Sequence, residues 1–395
     1  MVRTPRKTAT PLYTLLQGCY WAAYCILLSF SSVYLLDRGF TNAQIGAIIS
    51  AACLLSALLQ PFAAAAADRG KRLTLRQFTA LIVLALVLCA AAESFLPGKL
   101  LQAAGYMLQM ILLQLLMPFL NTLAMDCVNN HIPLNFGFAR GFGAMAYGLA
   151  SAVCGALAAG FGAGILPLGT AVTAGALLAG VLAFRYGGPV ERTLPGEAAA
   201  EEEDERHFLR RYPIILPMLI ALSLLFTSHN ILISFPYQIV QNLGGDSGEL
   251  GVLLTVMSVM DIPPMVLFTV LLRRRSSRFW VKCSAVSFFL HPVLVWLSPN
   301  LPILCAAQIM EMTGYAVYIV ASVYFVNELV DTRDRVKGQT WFAMANTIGI
   351  VAGSLTGGVL LDLAGTGGLL AFASLTGGAG MAGLLALLRN QPRRK

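Results

Sequence analysis

Charge is what this chain has least of. Only 12% of its 395 residues are Asp, Glu, Lys or Arg, against 57% hydrophobic, and the mean hydropathy is +0.73. A soluble domain carries roughly a quarter of its residues charged, so a surface turned mainly to water is excluded. Polar–apolar alternation is also lacking. The apolar runs are continuous, which rules out a membrane barrel and leaves helices. The eight Cys have neither metal spacing nor a disulfide pattern and read as small packing residues. No HExxH, Walker loop or spaced nucleophile–base pair occurs, so neither an enzyme nor an ATP-driven pump is expected, and no cofactor or metal site. The first apolar run is too long for a cleavable signal peptide and has no small-residue cleavage site.

What the chain does have is apolar length. Runs of about 20 residues are needed to cross the hydrocarbon core. Twelve are predicted, near 12–36, 42–67, 75–96, 100–127, 137–162, 165–184, 213–238, 248–272, 279–298, 301–327, 339–363 and 368–388. The basic residues test that count. With the N-terminus inside, 25 of the 27 Lys and Arg fall on the cytoplasmic side, and only Arg38 and Lys99 fall outside. This bias predicts an inner-membrane protein with both termini cytoplasmic. The net charge of +8 is then topological and does not point to nucleic acid.

The design is stated twice. Gly39 to Gly46 reads GFTNAQIG, and 205 positions later Gly244 to Gly251 reads GGDSGELG. The basic cluster Asp68, Arg69, Lys71 and Arg72 maps onto Arg273–Arg275, and Ala144–Tyr147 returns as Ala343–Asn346. A half-chain repeat in an apolar protein predicts two pseudo-symmetric six-helix bundles. They are expected at 1–185 and 212–395, joined by a charged cytoplasmic linker at 186–211 that contains EEEDER.

Polar residues are concentrated on four spans. Gln17, Tyr20 and Tyr24 share a face of the first, and the fourth carries Asn121. The seventh has Asn230 beside His229. The tenth has the sharpest stripe, Gln308, Glu311, Tyr315, Tyr318 and Ser322, and Asn346 joins the set from the eleventh. Such stripes at repeat-related positions predict a water-accessible solute cavity; the bland reading is that they glue helices together.

Ionisable residues within spans are costly, at least ~2.5–3.5 kcal/mol each on insertion scales. Glu311 lies near mid-membrane and is expected to take and release a proton, with a structural hydrogen bond to a Tyr as the plain alternative. Asp261 precedes Pro263 and Pro264, which kink the helix, and is a second candidate proton group. His229 and His291 are expected as neutral, hydrogen-bonded histidines. Asp126 and Arg140, flanking a short cytoplasmic loop, are expected to form a solute clamp or gate, and Asp68, Arg69, Lys71 and Arg72 a gate.

These residues resemble the major facilitator superfamily. Asp68–Arg72 is similar to its loop motif between helices two and three, with Ala64 in place of the leading Gly. FGFARGFGAMAYG (136–148), MDIPPM around Asp261, VKGQTW (336–341) and GGVLLDLAG (357–365) resemble the lactose permease and phenylpropionate permease branch. The resemblance implies that Arg140 contacts the solute, that Asp126 is its acidic partner and that Asp261 is the eighth-helix acid. Where lactose permease carries Lys, His and Glu on its tenth helix, this chain has Gln308, Glu311 and Gly314.

The expectation is a monomeric, proton-coupled symporter of a small polar or amphipathic solute. A proton-coupled efflux antiporter is the alternative, and a non-transporting membrane sensor a remote one.

Overall fold

The computed structural model describes residues 9–69, 73–130, 132–185, 208–331 and 334–389. These residues form helices α1 (Ala9–Tyr24), α2 (Ser31–Asp37), α3 (Asn42–Arg69), α4 (Leu75–Glu93), α5 (Lys99–Asn129), α6 (Phe136–Phe161) and α7 (Leu166–Ala183). The second half supplies α8 (Ile215–Ser234), α9 (Pro236–Asn242), α10 (Ser247–Arg274), α11 (Ser277–Trp296), α12 (Leu301–Ala307), α13 (Val317–Leu329) and α14 (Arg335–Arg389). No strand occurs among the described residues.

Among the described residues, ten helical segments are long and apolar enough to cross a membrane. The last of them is two helices joined at Gly365 (φ 65°), and α10 adds a further 28-residue helix. This fits the twelve expected spans. Phe62, Leu149 and Leu375, each more than 65% exposed, show the apolar flanks that such a protein turns to lipid.

Local chemistry sets the helix ends. Thr74 and Gln77 form a reciprocal capping box at the start of α4, so two orphan N–H groups are satisfied without water. Asn135, Ser276 and Asn300 cap α6, α11 and α12 through their side-chain oxygens. Two spans contain a wide π-turn, Cys25–Ser29 after α1 and Met312–Ala316 before α13.

The chain divides into two compact units. The first contains Met1–Thr41, Ile48–Leu194 and Gly245–Ser258; the second contains Asn42–Ala47, Pro195–Gly244 and Val259–Lys395. Within the first unit the N-terminal part of α10 lies on α6. A Cβ on Gly251 would stand 2.5 Å from the Ser151 carbonyl oxygen, and Thr255 Oγ1 donates to the Gly148 carbonyl at 2.9 Å.

The second unit shows the repeat of this contact. A Cβ on Gly46 would lie 2.1 Å from the Ser354 carbonyl oxygen. The first N–H groups of α3 are capped by Asp362, whose carboxylate accepts from the Asn42 and Ala43 backbone at 3.2 and 2.8 Å. Gln238 Nε2 donates to Asn42 Oδ1 at 2.8 Å. The repeat glycines Gly39 and Gly244 both turn the chain with positive φ, 75° and 82°, a conformation that disfavours any Cβ. The sequence repeat is thus a repeat of backbone geometry and of close helix contacts.

Candidate functional site

The expected stripe on span ten is not one continuous helix face. Between Leu301 and Leu329 the helix is interrupted at Gln308, resumes for the single turn Ile309–Glu311, and widens into the π-turn before α13. A π-turn inserts a residue and shifts the register beyond it. Hydropathy spacing cannot register that shift.

The interruption places Glu311 among residues from other helices of the second unit. His229 on α8 and His291 on α11 bring their Nδ1 atoms to 3.4 and 3.3 Å from Glu311 Oε1. All three side chains are buried, and their ligating atoms lie within 4.8 Å of one another. No Tyr hydrogen bond to Glu311 is formed among the described residues: Glu311 Oε1 and His229 Nδ1 have no hydrogen-bond partner. Asp261 on α10 is half-buried, its Oδ1 is shielded and unpartnered, and it lies near enough to act on the charge of Glu311. Uncompensated buried charge is expensive, so this pocket demands a positive species.

The surrounding residues hold that pocket in shape. His291 Nε2 meets Gln308 Oε1 at 3.1 Å, and Gln308 Nε2 donates to the Leu304 carbonyl at 3.0 Å. The His229 ring stacks on Tyr315, 4.8 Å apart and 11° from parallel, with the edge of Phe288 at 5.3 Å. Tyr318 is buried against Phe226 and Phe288, and its hydroxyl has no partner. Asn230 Nδ2 donates to Asn346 Oδ1 at 3.2 Å, so these two expected site residues meet.

In the first unit the expected residues form a separate chain of contacts. Gln17 Nε2 donates to the Tyr13 hydroxyl at 2.7 Å, and Gln17 Oε1 accepts from Trp21 Nε1 at 3.2 Å. The Arg140 guanidinium lies 4.2 Å over the Trp21 ring, a cation–π contact. Tyr20 and Tyr24 flank the same indole. Asn121 presents a shielded, unpartnered Oδ1. Asp126 is buried near the end of α5.

Lys71 and Arg72 lie outside the described residues, as does 186–207 of the linker. Asp68 and Arg69 end α3, and their side chains are likewise outside the described set.

Sequence reasoning passed over one acid. Glu93 is fully buried at the end of α4. Its Oε2 accepts from Gln109 Nε2 at 3.0 Å, and Arg38 and Tyr34 lie near enough to act on it. Gly105 makes the room, since a Cβ there would stand 2.6 Å from Glu93 Oε2. The available signal was a lone Arg38 just past the end of the first apolar run and a lone Glu93 near the end of the third.

Apolar spans, lipid-facing flanks and buried intramembrane acids define a multi-pass helical membrane protein. The chain belongs to the MFS_1 like family, whose model matches residues 13–372.

Two solved structures share the fold along almost all of both chains. A mutant of the nucleoside transporter NupG is 15% identical with a TM-score of 0.83, covering 98% of this chain and 99% of that one. A D-xylose-proton symporter is 12% identical with a TM-score of 0.69, covering 98% of each. A Deinococcus radiodurans protein, named as a candidate sugar efflux transporter, is 24% identical over 135 residues, 33% of each chain. The matched stretch thus spans about a third of the length of that curated relative.

Proposed function

We propose that this protein is a secondary transporter working by alternating access, which moves a small polar solute across the inner membrane in symport with protons. The observation that carries this reading is the buried Glu311 carboxyl between His229 and His291 with Asp261 nearby. A carboxyl without a fixed cationic partner in a dry site is suited to bind and release a proton in each cycle. Glu311 is the proton carrier in this reading, and Asp261 modulates it.

Solute recognition is assigned to Gln17, Tyr20, Tyr24, Asn121 and Arg140 of the first unit, with Asp126 as the acidic partner of Arg140. Within the second unit the residues assigned to solute are His229, Asn230, Gln308, Tyr315, Tyr318 and Asn346. These roles of Arg140 and Asp126 rest on the resemblance of 136–148 to the lactose and phenylpropionate permease branch. The names of the similar proteins support a solute rich in hydroxyl groups, such as a sugar or nucleoside. Asp68, Arg69, Lys71 and Arg72 are assigned to a cytoplasmic gate, the segments 1–185 and 212–395 to the two moving bundles, and the working form is a monomer with both termini cytoplasmic.

The test is uptake of labelled sugars and nucleosides into proteoliposomes under an imposed inward proton gradient. Accumulation in wild type and its loss in Glu311→Gln, with counterflow exchange retained, is the expected result. Unchanged proton-driven accumulation in that variant would remove Glu311 from the mechanism. The sugar-efflux name of the Deinococcus radiodurans protein supports a second reading, a proton-coupled antiporter. In right-side-out vesicles, substrate expelled by an inward proton gradient would favour it.

A further inference from the structure

The arrangement around Glu311 has one electrostatic peculiarity. The Gln308 amide is oriented by its Nε2 bond to the Leu304 carbonyl, so its Oε1 faces His291 as an acceptor. His291 Nε2 must therefore carry the hydrogen, and in the neutral ring Nδ1 is a bare lone pair. That lone pair points at a carboxylate oxygen 3.3 Å away. A second imidazole nitrogen, His229 Nδ1, approaches the same oxygen at 3.4 Å and has no other partner. Three electron-pair donors converge with nothing positive among them. A proton satisfies one of these contacts; a dication at their centre satisfies all three.

The spacing matches that second occupant. Zinc-type ions hold His nitrogen and carboxylate oxygen at ~2.0–2.2 Å, so tetrahedral ligands stand roughly 3.3 Å from one another. The two His–Glu separations are 3.3 and 3.4 Å, and the three ligand atoms fall within 4.8 Å overall. The outer shell is also of the metal-site kind. His291 is fixed through its other nitrogen by Gln308, and His229 is fixed by its stack on Tyr315. Two imidazoles and one carboxylate select Zn²⁺, Co²⁺ or Ni²⁺ over Mg²⁺ and Ca²⁺, which prefer all-oxygen shells.

We propose that His229, His291 and Glu311 form a binding site for a transition-metal dication of the zinc type, inside the second unit. Three protein ligands leave a fourth position for water or a solute oxygen. Such an ion ties α8, α11 and the interrupted helix at Glu311 to one point. The site shares Glu311 with the proton reading but needs only the three side chains, and it stands whether or not Glu311 carries a transport proton.

Binding, read without transport, tests this. Purified full-length protein in detergent is titrated with CoCl₂ and then ZnCl₂, with MgCl₂ as control. One equivalent of Co²⁺ should give the intense visible absorption of a four-coordinate ion, displaced by one equivalent of Zn²⁺ and unaffected by Mg²⁺. His229→Gln and His291→Gln should each abolish the band. Gln308→Leu, which removes the orienting bond and leaves all three ligands in the chain, should weaken binding about 10–100-fold.

X-ray absorption of zinc-loaded wild type needs no variant and should count two imidazole ligands. No band, fewer than two imidazoles, or an unchanged band in the His229→Gln/His291→Gln double variant would overturn the site. Failure of proton-driven uptake alone would leave it standing.

Discussion

Glu93 and Glu311 are the same residue in two opposite settings. Both are withdrawn from water, one in each unit. Glu93 is partly provided for: Gln109 donates to its Oε2, Arg38 and Tyr34 stand by, and Gly105 clears space for its carboxylate, while its Oε1 has no hydrogen-bond partner. Glu311 has no donor from Gln, backbone or Arg among the described residues, and faces two imidazole nitrogens instead. A buried acid with a donor on one oxygen and a guanidinium nearby is held in one state. An acid with neither stores a demand that a mobile cation can meet. The difference teaches that burial alone does not mark a working carboxyl; the identity of its neighbours does.

The largest effect should separate the two in transport. Glu311→Gln is expected to eliminate proton-driven accumulation, whereas Glu93→Gln should keep it, both measured in proteoliposomes. Loss in Glu93→Gln as well would break the comparison. Stability should rank them the other way. Glu93→Ala removes the acceptor of Gln109 and opens a hole, costing about 3 kcal/mol. Glu311→Gln should leave the thermal midpoint in detergent unchanged or raised, because it deletes an uncompensated buried charge.

Gly105→Ala drives a Cβ into Glu93 and should cost about 1–3 kcal/mol by the same melting assay. Combined with Glu93→Ala it should be less costly than the sum, since the clash with Glu93 has gone and only that with Leu96 Cδ1 remains. The smallest effect belongs to an exposed acid. Hydrogen bonding with the Glu249 side chain and the Gly248 N–H holds Asp246 below the usual carboxylate range. Asp246→Ala should cost about 1 kcal/mol as a lost cap. The sign follows from the lowered value: its contribution is present above the ordinary Asp range and fades as pH falls through the lowered one. A wild-type minus Asp246→Ala difference that grows on acidification would contradict it.

Much of this was legible in the residues. Continuous apolar length specified the spans, and repeat glycines such as Gly46 and Gly251 marked contacts that recur in both units. The desolvation cost of a mid-span carboxyl singled out Glu311. What could not be read was convergence. His229, His291 and Glu311 come from three separate helices, and no local spacing joins them. Glu93 escaped because an acid just before Pro97 and Gly98 reads as interfacial. Only the fold of α4 against α5 buries it. The π-turn Met312–Ala316 escaped because hydropathy is insensitive to a turn that gains one residue.

That gained residue has a consequence for how such a helix can vary. An α-helix advances about 100° per residue, so the π-turn Met312–Ala316 works as a one-position offset between Glu311 and everything on α13. The widened turn frees backbone for outside partners, and the Gly314 carbonyl accepts from Ser284 Oγ at 2.7 Å. Removing a single residue such as Thr313 would restore a regular helix and preserve the span. Because the π-turn already absorbs that residue, Tyr318 and Ser322 would keep their bearing relative to Glu311. Length variation by one residue at this place is therefore a means of opening or closing the backbone to outside partners such as Ser284, with the side chains beyond it left in place.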